Sequence, residues 1–290
     1  MGFASLQDGG RGGWRHEGIP SGGFADAASA GVANRLLGRR ADAPLLELAL
    51  ASGRFRFDSD TAVSIAGAVA TVELNDEVLP AYRRIRVRAD DLLTVRGPYR
   101  GRYLYIAVAD LCAGSHWCGS VSPVRLGNSW RPSSSVLATG MRLESSAPPS
   151  ERRADRGCVF AKAPPLSTEV LRMWPGPEFT AFENWVVGHD VACPRLSDVA
   201  FHVSPDSNRV GIRLGHRLGN RLRSVLPDLG EMRSSPTIPG TVQVLPDGHL
   251  AISSVDGPTM GGYPRIGVLD SIALGQLSQI TDVVRLEISE

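Results

Sequence analysis

Short apolar runs, several of them alternating with polar residues, recur through the first hundred positions of the chain. They fall at Leu46 to Leu50, Phe55 to Phe57, Ala62 to Ile65, Thr71 to Leu74, Ile85 to Arg88 and Tyr103 to Val108. Glycines, prolines and Asp-Gly pairs punctuate the sequence. Period-two runs at this close spacing predict strands of a sandwich or barrel. The second half repeats the theme. Val210 to Leu214 alternates, Leu245 to Leu250 reads as a tight turn with Gly248 at positive φ, and Val283 to Ile288 reads as a final strand. Two helices interrupt the pattern. Asp26 caps one over Ala27 to Leu37, with Gly38 ending it. Asp270 caps the other over Ser271 to about Ile280, with Ile272 or Ala273, Leu277 and Ile280 on one face.

The stretch Ser145 to Gly157 is polar and Pro-rich and reads as a linker or mobile loop. It divides the chain into two halves of similar size. The expected fold is therefore mainly β, in two subdomains over residues 1–150 and 151–290, with a few short helices.

Composition narrows the function classes. The chain has 290 residues, 42% hydrophobic and 21% charged, with a net charge of +1, so no strong field steers it to nucleic acid or a membrane surface. No apolar run is long enough to span a bilayer, and the N-terminus has neither a cationic start nor an apolar signal core. The cytoplasm is the expected location. Lys162 is the only lysine, so amines for Schiff-base chemistry are scarce. No Gly-x-x-x-x-Gly-Lys loop exists, which excludes a P-loop nucleotide site. The four cysteines, Cys112, Cys118, Cys158 and Cys193, are irregularly spaced and do not read as a disulfide framework. Cys112, His116 and Cys118 lack an obvious fourth partner, so no metal is expected in this chain.

Four polar stretches carry the candidate chemistry. Gln7 to Asp26 is too glycine-rich for a regular element and presents Asp8, Arg11 and His16, either toward a ligand or as a structural Asp8–Arg11 pair. Ser204 to Gly215 places Asn208 beside Arg209, which suits a carboxylate or carboxamide but equally suits an Asx turn with a surface arginine. Ser234 to Gly248 sets Gln243 between valines, where a buried carboxamide needs either a neighbouring loop or a ligand. Ser254 to Leu269 is longer than a hairpin needs and carries Asp256, Thr259, Gly261, Gly262 and Tyr263. That loop either approaches a ligand closely or bonds to itself.

In order, Gln7-Asp8, Gly10-Arg11, Gly13, Gly18-Ile19-Pro20, Asp26, Ala33-Asn34, Leu36, Gly38 and Leu46-Glu47 open the chain. Pro175-Gly176-Pro177, Ser207-Asn208-Arg209, Gly211, Arg213-Leu214, Pro239-Gly240, Gln243-Val244, Pro246, Gly248, Asp256, Thr259 and Gly261-Gly262-Tyr263-Pro264 follow. This ordered set resembles the family called allophanate hydrolase subunit 2, also described as the biotin-dependent carboxyltransferase family and known among the 5-oxoprolinase subunits. The resemblance covers nearly the whole chain.

It implies two cyclophilin-like β-barrel subdomains, a homologous partner subunit (of the subunit 1 type) and often a third. It implies one of three activities. The first is a subunit of an ATP-dependent complex that opens 5-oxoproline to glutamate. The second is a carboxyltransferase that takes a carboxyl group from carboxybiotin on a partner to a urea-like substrate; this chain has no Met-Lys-Met biotin acceptor of its own. The third is a non-catalytic regulatory binding module. Under the first, Asp256, Arg209 and Tyr263 are the expected catalytic residues. Asp8, Arg11, Asn208, Gln243, Thr259, Gly261 and Gly262 are the expected substrate-binding residues. Three departures stand out. The segment after Val108 lacks the family's Gly-Ser-Arg-Ser-Thr run, Arg39-Arg40 replaces Asn-Pro, and Pro258 replaces the usual Gln.

Overall fold

The computed structural model describes residues 2–109, 111–112, 114–144, 170–186, 195–217 and 232–289. The expected linker at Ser145 to Gly157 lies outside them. The chain forms two compact units, one of residues 1–12 and 22–166, the other of residues 13–21 and 167–290.

In the first unit, Leu92–Val108 is the spine of a seven-stranded antiparallel sheet. Thr61–Leu74 lies along one side of it; Leu45–Ala49 and Gly53–Arg56 share the other. Phe3–Gln7 pairs with Leu45–Ala49, while Glu77–Leu79 and Arg84–Val87 pair with Thr61–Leu74. The runs at Ala62 to Ile65 and Thr71 to Leu74 are thus the two ends of one strand, with register shifts between Gly67 and Thr71. Leu50 falls outside its expected strand because its backbone turns to a φ of 49°.

Both faces of this sheet are covered. Leu46, Leu48, Val63, Ile65, Leu104 and Ile106 belong to one apolar cluster. Leu45, Ala62, Ala66, Tyr103, Tyr105 and Ala107 join the helix Ala27–Leu36 in another. Two-sided burial explains why Leu45 to Leu48 is apolar or buried throughout rather than alternating. Asp26 caps the helix by accepting from the Ser29 N–H at 3.1 Å. At its other end the Asn34 carboxamide donates to the carbonyls of Ala41 and Ala43, which holds the following loop.

The second unit contains a closed barrel. Its strands run in the order Val170–Pro175, Arg265–Leu269, Thr241–Val244, Leu250–Ser253, Gly211–Gly215, Phe201–Val203 and Val283–Ile288. The last strand returns to the first through the barrel's one parallel pairing, Val170 to Met173 against Arg285 to Ile288. Inward residues alternate with outward ones: Ile212, Leu214, Val242, Val244, Leu250 and Ile252 all belong to the barrel core. The turn at Leu245 to Leu250 is as the sequence predicts, with the Gly248 N–H bonded to the Leu245 carbonyl and Gly248 at φ 82°. Helix Ser271–Gln279 is capped by Asp270 through the Ala273 N–H at 2.8 Å. Of the two apolar candidates in its first turn, Ala273 is buried and Ile272 exposed.

Candidate functional site

The outer face of the barrel carries a cleft of about 590 Å³. Its floor crosses three adjacent strands. Gly211 lies opposite Ser253, and Arg213, Ala251 and Gln243 form one row from strand to strand. Because Ile212 and Leu214 point into the core, Arg213 must point out, and it is exposed. Two loops form the walls, one carrying Asp206 and Asn208, the other running from Pro258 through Met260, Gly261, Gly262 and Tyr263, and the turn at Leu245, Pro246 and Asp247 adds to the lining.

Gln243 is buried on this floor, and its Nε2 reaches the Ser253 Oγ at 3.5 Å. Gly261 sits directly against it: a Cβ at that position would lie 2.8 Å from the Gln243 Oε1 and 2.9 Å from the Thr237 Cγ2. The sequence requires glycine there for close approach to a side chain. Met260 and Gly261 pair with Pro236 and Ser235, which fixes the loop over the barrel.

Beside the cleft, Arg209 and Asp256 form a two-pronged ion pair. Arg209 Nε donates to Asp256 Oδ2 at 2.7 Å and Nη2 donates to Oδ1 at 2.9 Å; the two side chains are only 8% and 7% exposed. The Asp256 N–H also bonds the Arg209 carbonyl at 2.9 Å. Both loops that wall the cleft are therefore tied to each other at their roots. Asn208 makes an Asx turn: its Oδ1 accepts from the Val210 N–H at 2.8 Å and its Nδ2 donates to the Asp206 carbonyl at 3.1 Å.

A third tie comes from residues 13–21, which belong to this unit. Arg15 Nη2 donates to the Thr237 carbonyl at 2.6 Å and to the Pro258 carbonyl at 3.0 Å. Burial pushes this guanidinium below its ordinary pKa. Thr237 adds its own Oγ1 bond to the Pro258 carbonyl at 2.8 Å. Farther along, Glu178 grips Arg265 through both oxygens, which holds the Glu178 carboxyl below the usual carboxylate range.

Five of the expected site residues thus line one cleft: Asn208, Gln243, Gly261, Gly262 and Tyr263. Arg209, Asp256 and Thr259 do not line it. Arg209 and Asp256 are engaged with each other, and the Thr259 carbonyl accepts from the Thr237 N–H at 3.0 Å.

Asp8 and Arg11 belong to the first unit and form a network there. Asp8 Oδ1 accepts from the Ser120 hydroxyl at 2.5 Å, the Ser122 hydroxyl at 2.7 Å and the Gly10 N–H at 2.9 Å; Oδ2 accepts from the Val121 N–H at 2.9 Å. Arg11 donates to the Ser122 and Trp117 carbonyls and lies over the Trp117 ring. These partners come from the segment after Val108, where the family motif lapses. Gly23 passes so close to Gly10 that a Cβ would lie 2.9 Å from its nitrogen. Among the described residues no cluster of three His, Cys, Asp or Glu side chains could hold a metal, and no helix is long and apolar enough to cross a membrane. Cys112 and Cys118 are free thiols.

The family described as carboxyltransferase domain, subdomain A and B, matches residues 17–287, which takes in the whole cleft. This chain belongs to that family. This family member is 30% identical to a 5-oxoprolinase subunit of Escherichia coli (strain K12) over 286 residues, 96% of this chain and 85% of the relative. It is 27% identical to urea amidolyase of Lachancea kluyveri over 301 residues, but spans only 16% of that much longer protein. The crystal structure of TTHA0988 matches it with a TM-score of 0.78 at 29% identity, covering 99% of this chain and 54% of that one.

Two residues of this family member carry weight that the sequence did not assign. Arg15 belongs to a glycine-rich stretch in which Asp8, Arg11 and His16 are the more conspicuous polar groups, and nothing local reports its distant carbonyl partners. Arg213 stands at an outward position of an alternating strand, and that alternation was the available signal.

Proposed function

We propose that this chain is a subunit of a 5-oxoprolinase-type, ATP-dependent amidohydrolase complex that opens 5-oxoproline to glutamate. The observation that carries this reading is the barrel cleft, where Asn208, Gln243 and Tyr263 surround a floor of small residues. Likeness to a 5-oxoprolinase subunit along 96% of the chain supports it.

Lactam opening requires water oxygen to add to the carbonyl carbon, the C–N bond to break, and the nitrogen to take a proton as it leaves. Charge builds on the carbonyl oxygen, and fixed donors there lower the barrier. The carboxamides of Asn208 and Gln243 are donors of the right kind, and Tyr263, which is 46% exposed, carries a phenol that can donate to the same oxygen or to the leaving nitrogen. Gly261 and Gly262 let the loop backbone close on the ligand. In this reading Arg209 and Asp256 act by bracing the two loops, and Thr259 helps to pin one of them. Asp8 and Arg11 shape the glycine-rich segment of the first unit.

ATP is the co-substrate of the complex, and we assign its site to the partner subunits, the homologous one and a third. Each unit of the chain is cyclophilin-like, the closed barrel being the feature that supports this most directly. The complex works in the cytoplasm.

A second reading rests on the family's own description and on the urea amidolyase relative. There the cleft would accept a carboxyl group from carboxybiotin held by a partner protein. The deciding experiment measures ATP hydrolysis and glutamate release from 5-oxoproline by the genomically neighbouring subunits, with and without this chain. Turnover that requires this chain is the expected result. A stable complex without turnover would overturn the first reading and favour the carboxyltransferase or a regulatory binding role.

A further inference from the structure

We infer that Arg213 is the residue that selects for a carboxylate on the substrate, and that the cleft holds a small cyclic amide with its carboxylate at Arg213 and its amide at Gln243. This inference rests on the amidohydrolase reading and extends it.

The argument begins with the other arginine. A carboxylate-binding cation is expected in this loop–strand segment, and Arg209 is the nearer candidate by motif. Its Nε and one Nη are already committed to the two oxygens of Asp256, and the pair is buried away from the cleft lining. Arg213 is different. It lines the cleft, it is exposed, and among the described residues no ion pair or side-chain hydrogen bond engages its guanidinium. A guanidinium is a planar fork matched to a carboxylate, and one left unengaged in a concavity favours an anionic ligand.

Spacing supports the assignment. Arg213, Ala251 and Gln243 are in register on three neighbouring strands. Two strand spacings put the Cα atoms of Arg213 and Gln243 about 10 Å apart. Between them lies only the methyl group of Ala251, flanked by Gly211 and Ser253. Two long side chains reaching over a low floor leave room for a five-membered ring between them. The carboxamide of Gln243 is anchored through Ser253 and backed by Gly261, so it presents a fixed amide-reading edge at the far end. The acidic residues of the lining, Asp206 and Asp247, lie on the bounding turns and form no ion pair with Arg213.

The test uses the assembled complex with 5-oxoproline, with 5-oxoprolinamide (the same lactam with a neutral carboxamide) and with 2-pyrrolidinone (the bare lactam). Losing a charge-assisted contact of this kind should raise KM for 5-oxoproline by on the order of 10- to 100-fold in Arg213→Met, with kcat little changed. The variant should also lose the preference for 5-oxoproline over 5-oxoprolinamide, and Arg213→Lys should retain part of it. A KM within about 3-fold of wild type in Arg213→Met, with the preference intact, overturns the inference while leaving the amidohydrolase reading in place. If the wild-type complex does not turn over 5-oxoproline, calorimetric titration of the complex with 5-oxoproline decides. Binding that Arg213→Met abolishes supports the carboxylate assignment although the activity reading fails; absence of binding to wild type overturns both.

Discussion

Asp256→Asn removes one charge from the Arg209–Asp256 pair and almost nothing from its shape. In the native chain both prongs are short, 2.7 and 2.9 Å, and the two side chains are less than a tenth exposed. Water cannot replace the lost partner, so the substitution leaves a buried guanidinium without its counter-charge. Breaking a buried pair in this way costs about 3–5 kcal/mol. The chain holds its own control. Arg40 and Asp42 form the same two-pronged pair, at 3.0 and 2.8 Å, but with side chains 84% and 54% exposed. There solvent screens the pair, and Asp42→Asn should leave stability almost unchanged. The hydrogen-bond lengths are nearly the same in the two pairs, while burial and sequence separation, 47 residues against 2, both differ.

Because the chain has two units, a single unfolding midpoint is a poor measure of either. Native-state hydrogen exchange resolves them. The amides of Gly211–Gly215 and Leu250–Ser253 report on the barrel strands nearest the pair, and those of Leu45–Ala49 report on the first unit. Asp256→Asn should lower protection of the barrel amides by the full buried cost and leave the first unit unchanged. Arg209→Met with Asp256→Leu should cost less than the single change, because no isolated charge remains. If Asp256→Asn and Asp42→Asn differ by less than about 0.5 kcal/mol, the claim that burial gives the first pair its structural weight is refuted.

Three further outcomes are expected. Asp8→Asn turns an NH₂ toward donors that the carboxylate satisfied, so it should cost about 2–3 kcal/mol, read as a lowered thermal midpoint of the first unit's amide protection. Gly261→Ala drives a methyl group into the Gln243 carboxamide, and it should reduce activity of the complex more than it reduces stability, with a loss of about 1–2 kcal/mol in protection of the barrel amides; full activity would separate Gln243 from the chemistry. Burial, and then the neighbouring His249, push the His216 imidazole below its ordinary value. The unfolded chain then binds the extra proton first, so this group's contribution is complete above about pH 6.5 and is lost as pH falls from there toward the lowered folded value. The barrel's urea midpoint should drop between pH 7 and pH 5, and His216→Phe should flatten that slope.

Much of the fold was legible because its signals are local. An aspartate before an apolar run caps a helix within three residues, as Asp26 and Asp270 do, and Asp247-Gly248 closes its hairpin within five. Where the signal is not local the sequence misleads. Thr61–Leu74 looks like two strands because Ala66 to Ala70 is made of small residues, and it is one strand because Leu92–Val108 pairs along its length. Residues 13–21 read as part of one continuous glycine-rich opening, yet they belong with the barrel, where Arg15 finds the carbonyls of Thr237 and Pro258. The candidate site divides in the same way. Arg209 and Arg213 share one turn and strand, and nothing in their spacing says which of them meets a ligand. Asp256, distant in sequence, engages the Nε and one Nη of Arg209 beside the cleft. Strand alternation turns the Arg213 side chain outward, onto a floor that Gly211, Ala251 and Ser253 keep low. A sequence motif records that two arginines are present; only contacts between residues far apart in the chain separate the one paired with Asp256 from the one that lines the cleft.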